Sequence, residues 1–467
     1  VTDTSWQPDL DSHPGPKYLA LTRALREAIR LGELAPGAQL PTVRDLAWRL
    51  HVTPGTVSRA YQLATQEGLL AATVGRGTFV AARAPRLGPT QALFQERDLS
   101  DEPWLVDLRS PQLPDVGQGA AFSAAMQKIG QGLDAAWQDY PSQRGEAPLR
   151  AAICGWLSDR LLGTFGPEDI ALTHGGQNAL LLVFLCCLRG DRPVILTEDL
   201  AYPGIRHAAR LVRADVVGVE IDDEGMLPDA LEAACRRHGA QILVLTPEAQ
   251  NPTASRMGAT RRAEIAAIAR RYDLQVIEDD CYSITESNLP AMRAIAPERT
   301  WYVGSMSKSV SAALRFGYVV CPSGMGEAGR LTAQHGFFAL ARPVSDLALE
   351  LLESGAAQEI RRKVQEVFAS RLMTAVNALG RFDIRWQAGL PFLWVPLPSG
   401  WRASTFARQA EAEGVLIRQA DEYALIHGRA PHALRIALAG AIPADRYASA
   451  VATLARLLGH PPSDMAV

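Results

Sequence analysis

Near the start of the chain apolar residues return every three to four positions. Tyr18, Leu21, Leu25 and Ile29 fall on one stripe, and Arg23, Arg26 and Arg30 lie on the other faces. That spacing predicts an amphipathic helix, which Gly32 ends ahead of the Pro36-Gly37 turn. Thr42-Val-Arg-Asp45 has the form of an acidic capping box and opens a second short helix running through Leu50. Thr53 can cap a third, whose first position suits Pro54 because the missing N–H would be unbonded there anyway; it is expected to reach Gln66. After Gly68 the pattern shortens to two extended runs in LLAATVGRGTFVA, placing Gly75-Arg76-Gly77 at a hairpin tip. Three helices and a basic hairpin make a winged helix-turn-helix over residues 13–82.

From Trp104 the periodicity changes. The short apolar runs PVILT, QILVLT, LQVIED, TWYVGS and FGYVV alternate with helical stretches, and the one from Arg261 to Tyr272 supplies a crossover. This predicts an α/β domain with a largely parallel sheet over residues 104–460. Between the two, residues 83–103 (RAPRLGPTQALFQERDLSDEP) read as a connector, long enough when extended to span tens of ångströms at ~3.3 Å per residue.

Composition sharpens this division. A length of 467 residues exceeds what one core usually organises. The net charge of −3 hides an asymmetry: from His13 to Arg83 there are nine basic and four acidic side chains, so the acidic excess belongs to the remainder. A basic head suits a polyanionic partner. The six cysteines show no paired metal spacing, and Cys186-Cys187 lie in the apolar run LLVFLCCL, so reduced thiols and no metal site are expected. The first residues carry no secretory pattern, and the longest apolar run, Ala179 to Leu188, is half the ~20 residues of a membrane span. A cytoplasmic protein without membrane attachment is the expectation.

Several candidates for chemistry fall where such folds gather binding groups, at the carboxyl ends of strands. Lys308 in SMSK follows TWYVG, where a neutralised amine can form an imine with an aldehyde cofactor. Asp279 ends LQVIED and can hold a pyridinium nitrogen protonated. Tyr282 and Asn251 can reach that ring's phenolic oxygen, and Tyr202 can stack on its face. Gly175-Gly176-Gln177 stands between a short strand and a long apolar helix, where backbone N–H groups and the helix dipole favour a phosphate. Arg315 can add a charge-assisted contact, and Arg435 in ALRIALAG suits a bidentate carboxylate clamp. Arg206 is a further candidate anion contact for an effector. In the head, Thr56, Ser58 and Arg59 on the third helix can face base edges or phosphates, while Arg44 and Arg76 can hold the backbone or reach a groove. Each alone also fits an ordinary surface side chain.

In order, these segments carry a resemblance. Lys17 to Val80, with PGAQLPTVRDLAWRLHVTPGTVSRAYQLATQEGLL and VGRGTFV, resembles the GntR-type winged helix. Thr53-Pro-Gly55 departs from that family's common Ser-Arg-Asn and removes a base from the recognition helix. Residues 105–460, through YPSQRGEAPLR, THGGQNAL, EDLAYPG, TPEAQNPT, VIEDDCY, SMSKSVSAALRFGY and LRIALAG, resemble fold-type I, aspartate-aminotransferase-like enzymes. That resemblance implies an α/β transferase fold with a small C-terminal α+β subdomain and pyridoxal 5'-phosphate as cofactor. By it, Lys308 is the Schiff-base lysine and Asp279 the pyridine-nitrogen partner. Asn251 and Tyr282 contact the phenolic oxygen, and Tyr202 stacks. Gly176, Gln177, Ser305, Ser307 and Arg315 line the phosphate, Tyr140 reaches the neighbouring subunit's phosphate, and Arg435 takes the ligand carboxylate. Thr253-Ala254 stands where the family often has Thr-Gly.

Both halves on one chain resemble the MocR/GabR regulators. This implies a pyridoxal-phosphate-dependent transcription regulator that binds double-stranded operator DNA as a head-to-tail homodimer. It implies sensing of a small amino-compound effector through an external aldimine, without steady turnover. Two alternatives stand beside it: an active aminotransferase carrying a DNA-binding head, since every residue for transamination is present, and a regulator sensing pyridoxal phosphate itself, which has less need of Arg435.

Overall fold

The computed structural model describes residues 6–10, 15–66, 69–73, 77–81, 102–282, 285–425 and 430–461. The chain divides into two compact units, Val1–Gln91 and Ala92–Val467.

In the first unit α1 (Lys17–Leu31) stops where Gly32 turns left-handed, at φ 82°, and its N–H bonds to Ile29 O. Ahead of α2 (Val43–Arg49) the Thr42 hydroxyl accepts from Asp45 N at 3.2 Å. The Asp45 carboxylate takes the Thr42 hydroxyl proton, at 2.7 Å, so it is the two side chains that close the box. Thr53 caps α3 (Pro54–Gln66), its hydroxyl accepting from Thr56 N at 3.3 Å. Strands β1 (Leu70–Thr73) and β2 (Gly77–Val80) pair antiparallel, with Leu70 opposite Val80 and Thr73 opposite Gly77. The apolar stripe closes on itself: Leu21, Leu25, Leu46, Val57, Ala60 and Val80 form the core, and the buried Tyr61 hydroxyl donates to Pro41 O at 2.9 Å. Burial of each such leucine contributes about 1.5–3 kcal/mol. Arg76 and most of the stretch 83–103 lie outside the described residues.

The second unit is built on seven strands: β3 (Ile170–Thr173), β4 (Val194–Glu198), β5 (Asp215–Val219), β6 (Ile242–Leu245), β7 (Gln275–Asp279), β8 (Thr300–Ser305) and β9 (Gly317–Val320). Their order across the sheet is β3-β9-β8-β7-β6-β4-β5. The helix Ala259–Arg271 carries the chain from β6 to its parallel neighbour β7. Apolar clusters cover both faces, which is why the inner strands read as continuous apolar runs. One strand departs from the parallel pattern: β9 runs antiparallel to both β8 and β3. Its reversal matters for the site. Ser305, Gly317 and Thr173 stand in register, so Arg315, just before β9, comes to the edge where the other strands end.

Toward the C-terminus Phe392–Pro396 pairs with Ala433–Ala437, which pairs in turn with Arg418–Gln419. The helices Ala356–Leu379 and Ala444–Leu458 pack together beside them, giving the small α+β subdomain. Among the described residues no helix is long and apolar enough to cross a membrane.

Candidate functional site

At the carboxyl edge, Gly175 takes φ 87° and the apolar helix α4 (Gly176–Cys187) begins. Neither glycine has room for a side chain: a Cβ on Gly175 would stand 2.9 Å from Arg315 Nη2, and one on Gly176 2.6 Å from Cys281 Sγ. Arg315, itself at φ 48°, donates to His174 O at 3.2 Å. From the neighbouring turn the Ser305 hydroxyl donates to the Ser307 hydroxyl at 2.9 Å and accepts from Ser307 N at 3.1 Å. A helix N-terminus, two hydroxyls and a guanidinium thus converge, which is the donor set a phosphate requires.

Beside this cradle, Asp279 ends β7 with its carboxylate accepting from Cys281 N at 3.0 Å. Burial pushes its carboxyl above the ordinary value. No ion pair to it exists among the described residues. A protonated ring nitrogen would supply the missing cation. Tyr282 lies between two cations: Lys308 Nζ is 5.7 Å and Arg435 Cζ 5.3 Å from its ring centroid. Burial raises the Tyr282 phenol, but the guanidinium and the ammonium outweigh it and bring the phenol below its usual value.

Asn251 is 2% exposed, and its side-chain oxygen has no hydrogen-bond partner among the described residues. Its peptide bond to Pro252 is cis. Gln250 holds the turn: its amide nitrogen donates to Leu200 O at 2.7 Å, and its oxygen accepts from Thr253 N at 2.8 Å. The same amide donates to the buried Glu198, which also accepts from the Thr246 hydroxyl at 2.8 Å. Burial lifts the Glu198 carboxyl to about 7. Tyr202 precedes the helix α5 (Pro203–Leu211). Gly204 within α5 must be glycine, since a Cβ there would fall 2.1 Å from both the Tyr202 ring and the Gln177 side chain. Gln177 donates to Gly204 O at 2.9 Å and leaves its oxygen unpartnered.

Arg435 is 2% exposed, with its guanidinium 4.1 Å from the Phe392 ring. Its Nη1 donates to Tyr423 Oη at 3.1 Å and to Arg109 O at 3.3 Å, whereas Nε and Nη2 have no hydrogen-bond partner among the described residues. A buried cation without an anion stands ready for one. Open polar atoms on Asn251, Gln177 and Arg435, an unpaired Asp279 and a two-glycine cradle together fit a phosphorylated pyridine aldehyde and an acidic ligand beside it.

Other residues named from the sequence stand elsewhere. Arg206 is already engaged within the fold. Both terminal nitrogens donate to backbone carbonyls, of Ala424 and of Glu422, so its guanidinium braces that segment. Tyr140 is 83% exposed, its ring 5.1 Å from Phe338. In the head Arg44 is exposed, Thr56 and Ser58 are half-buried, and Arg59 lies 4.1 Å over the Tyr18 ring. Glu198 and Tyr423 went unread: Glu198 opens the segment EDLAYPG, where attention went to Tyr202, and Tyr423 lies outside every segment singled out above.

Residues 105–454 match the family described as aminotransferase class I and II, and residues 17–80 match the bacterial regulatory proteins of the gntR family. An uncharacterized HTH-type transcriptional regulator of Bacillus subtilis, YdeF, is 29% identical over 97% of this chain and 97% of its own. The HTH-type pyridoxine biosynthesis transcriptional regulator PdxR of Corynebacterium glutamicum is 29% identical over 77% of this chain and 78% of its own. A kynurenine aminotransferase of Pyrococcus horikoshii superposes with a TM-score of 0.69 at 20% identity, over 80% of this chain and 97% of that one, a likeness of fold.

Proposed function

Because the chain belongs to the aminotransferase class I and II family and is, by its gntR-family head, a transcription regulator of helix-turn-helix type, we propose that it holds pyridoxal phosphate at Lys308 and reports a small acid-bearing amino compound to operator DNA. The open edge of Arg435 carries this reading. A guanidinium buried without an anion is costly, and a ligand carboxylate relieves the cost.

When bound, pyridoxal phosphate supplies an aldehyde carbon that either the Lys308 amine or an incoming amine can carry. The remaining work falls to the chain. Asp279 holds a proton at the ring nitrogen, Asn251 and Tyr282 face the phenolic oxygen, and Tyr202 covers the ring. Gly176, Gln177, Ser305, Ser307 and Arg315 hold the phosphate, joined by Tyr140 of the second copy in a head-to-tail homodimer. Arg435 fixes the ligand's acid group and so orients its amine toward Lys308. Occupancy changes DNA binding only to the extent that the ligand favours one arrangement of the heads over another, so its differential affinity sets the response. Arg44, Thr56, Ser58, Arg59 and Arg76 are the DNA-facing residues of this proposal.

The name of the Corynebacterium relative supports a second reading, in which the cofactor is itself the effector. Titration of DNA affinity with pyridoxal phosphate alone, then with amino acids added, separates the two. A response complete before any amino compound is added overturns the first reading.

A further inference from the structure

Arginine offers five N–H groups, and their allotment at Arg435 is uneven. Both Nη1 hydrogens are taken, one by Tyr423 Oη at 3.1 Å and one by Arg109 O at 3.3 Å. Nε and Nη2 are left, buried and open. The guanidinium is therefore held at one corner and exposes one particular edge. That edge carries parallel N–H groups, the geometry that receives two oxygens of one acid group side-on. The holding corner is itself braced. Arg109 O also accepts from Arg418 Nε at 2.9 Å, and Arg418 pairs with Glu422, next to Tyr423. Ala201 N donates to Tyr423 O at 3.0 Å, which ties the tyrosine to the segment just before Tyr202.

The ring of Tyr423 is not the main support. Phe392 lies 4.1 Å from the guanidinium and Tyr282 5.3 Å, against 5.8 Å for Tyr423. Those rings restrain the plane of the guanidinium but not its rotation within that plane. Rotation is controlled by directional bonds: Tyr423 supplies the well-aligned one at 3.1 Å, and the Tyr282 phenol stands near the same guanidinium as a second, weaker acceptor.

We propose that Tyr423 is a positioning residue for ligand recognition: its hydroxyl locks the Nη1 corner of Arg435, so that the Nε–Nη2 edge selects amino compounds carrying a carboxylate over amines that lack one. This rests on the reading of Arg435 as the ligand's acid clamp.

Tyr423→Phe removes the hydroxyl and keeps the ring. The test uses full-length protein loaded with pyridoxal phosphate and follows cofactor absorbance as probes are added. The probes are alanine and β-alanine against ethylamine, and norleucine against pentylamine, so that each amine is its amino acid without the carboxylate. Wild type is expected to bind the best amino acid of the set more tightly than its amine. In Tyr423→Phe the amino acid weakens about tenfold, as loss of a hydrogen bond to a charged group implies, and the amine by less than twofold. Tyr423→His, which restores an acceptor, recovers part of the preference. Equal weakening of acid and amine, or an unchanged preference, overturns the proposal while leaving Arg435 as the clamp. A wild-type protein with no preference for the carboxylate overturns the clamp and the proposal together.

Discussion

Two fully buried arginines in the same unit differ in what they have found. Arg262, 1% exposed, donates Nε to Met257 O, Nη1 to Pro290 O, and Nη2 to Pro247 O and to the Glu248 carboxylate at 2.7 Å. Its charge and geometry are answered from within, and it knots the turn after β6 to the helix that follows. Arg435 is as deeply buried, yet among the described residues its well-formed hydrogen bonds come from Nη1 alone and no carboxylate pairs with it. Depth alone would class both as structural. Open donors alone do not separate a ligand contact from a structural arginine, since the buried Arg293 also leaves both terminal nitrogens without a hydrogen bond among the described residues. It is open donors beside Tyr282 and the glycine cradle that support the proposed role of Arg435.

The comparison has meaning only if Arg435 faces a bound cofactor and ligand, so the largest expected effect concerns Lys308. Lys308→Ala abolishes the visible absorbance band of the loaded protein. Retention of that band at full intensity places the covalent attachment elsewhere and leaves the Arg435 edge without a neighbour to serve. Next is stability. Arg262→Met leaves Glu248 only Arg256 as a cation and takes the arginine donors from the carbonyls of Met257, Pro247 and Pro290, at a cost of about 3–5 kcal/mol in denaturant unfolding. Arg435→Met replaces an unpaired buried cation with an apolar chain and costs less than about 1 kcal/mol, while weakening acid-bearing ligands far more than simple amines. Equal losses of stability in the two variants would break the comparison.

Glu198 sharpens it from the acidic side. This carboxyl is 2% exposed, accepts from Thr246 and Gln250, and meets no cation among the described residues. Unlike a guanidinium, it can escape its predicament by binding a proton. With its folded value lifted by burial from 4.5 to about 7, the native state binds the proton more tightly than the unfolded chain. Its contribution is therefore intact below about pH 4.5 and is lost as pH rises toward 7. Glu198→Gln removes that dependence. The variant matches wild type at acidic pH and exceeds it above pH 7 by up to about 3 kcal/mol, read from unfolding curves at several pH values. Parallel curves for the two proteins would mean that Glu198 has a counter-charge after all.

Where local physics decides, the chain was legible. Gly32 ends α1, Thr42 and Thr53 cap the helices they precede, and the five apolar runs became strands. Strand direction was not legible, because FGYVV is equally apolar read either way, and only pairing on both sides reverses it. Residue type alone suggested both Arg435 and Arg206 as anion contacts, and only Arg435 had a segment, LRIALAG, behind it. The carbonyls of Glu422 and Ala424, some two hundred positions from Arg206, separate them. Tyr423 was invisible for the same reason: it stands in a turn, and its meaning lies in one bond to a residue on the strand Ala433–Ala437.

The head repeats the contrast at its surface, with the smallest expected effect. Arg59 lies over the Tyr18 ring at 4.1 Å, whereas Arg44 stands exposed at the start of α2. An exposed cation over a half-buried ring is worth about 0.5–1 kcal/mol, so Arg59→Ala should lower the head's stability by that much. A cation that reaches phosphate instead enters the salt dependence of binding, because it releases a counterion. Arg44→Ala should therefore lower the slope of log affinity against log salt by about one on any duplex, since the phosphate contribution ignores sequence. Arg59→Ala should lower that slope by less than Arg44→Ala, because the Tyr18 ring competes with phosphate for its guanidinium. If both variants lower it equally, Arg59 leaves Tyr18 for the DNA on binding, and an arginine already engaged within the fold is no longer thereby excluded from a ligand's reach.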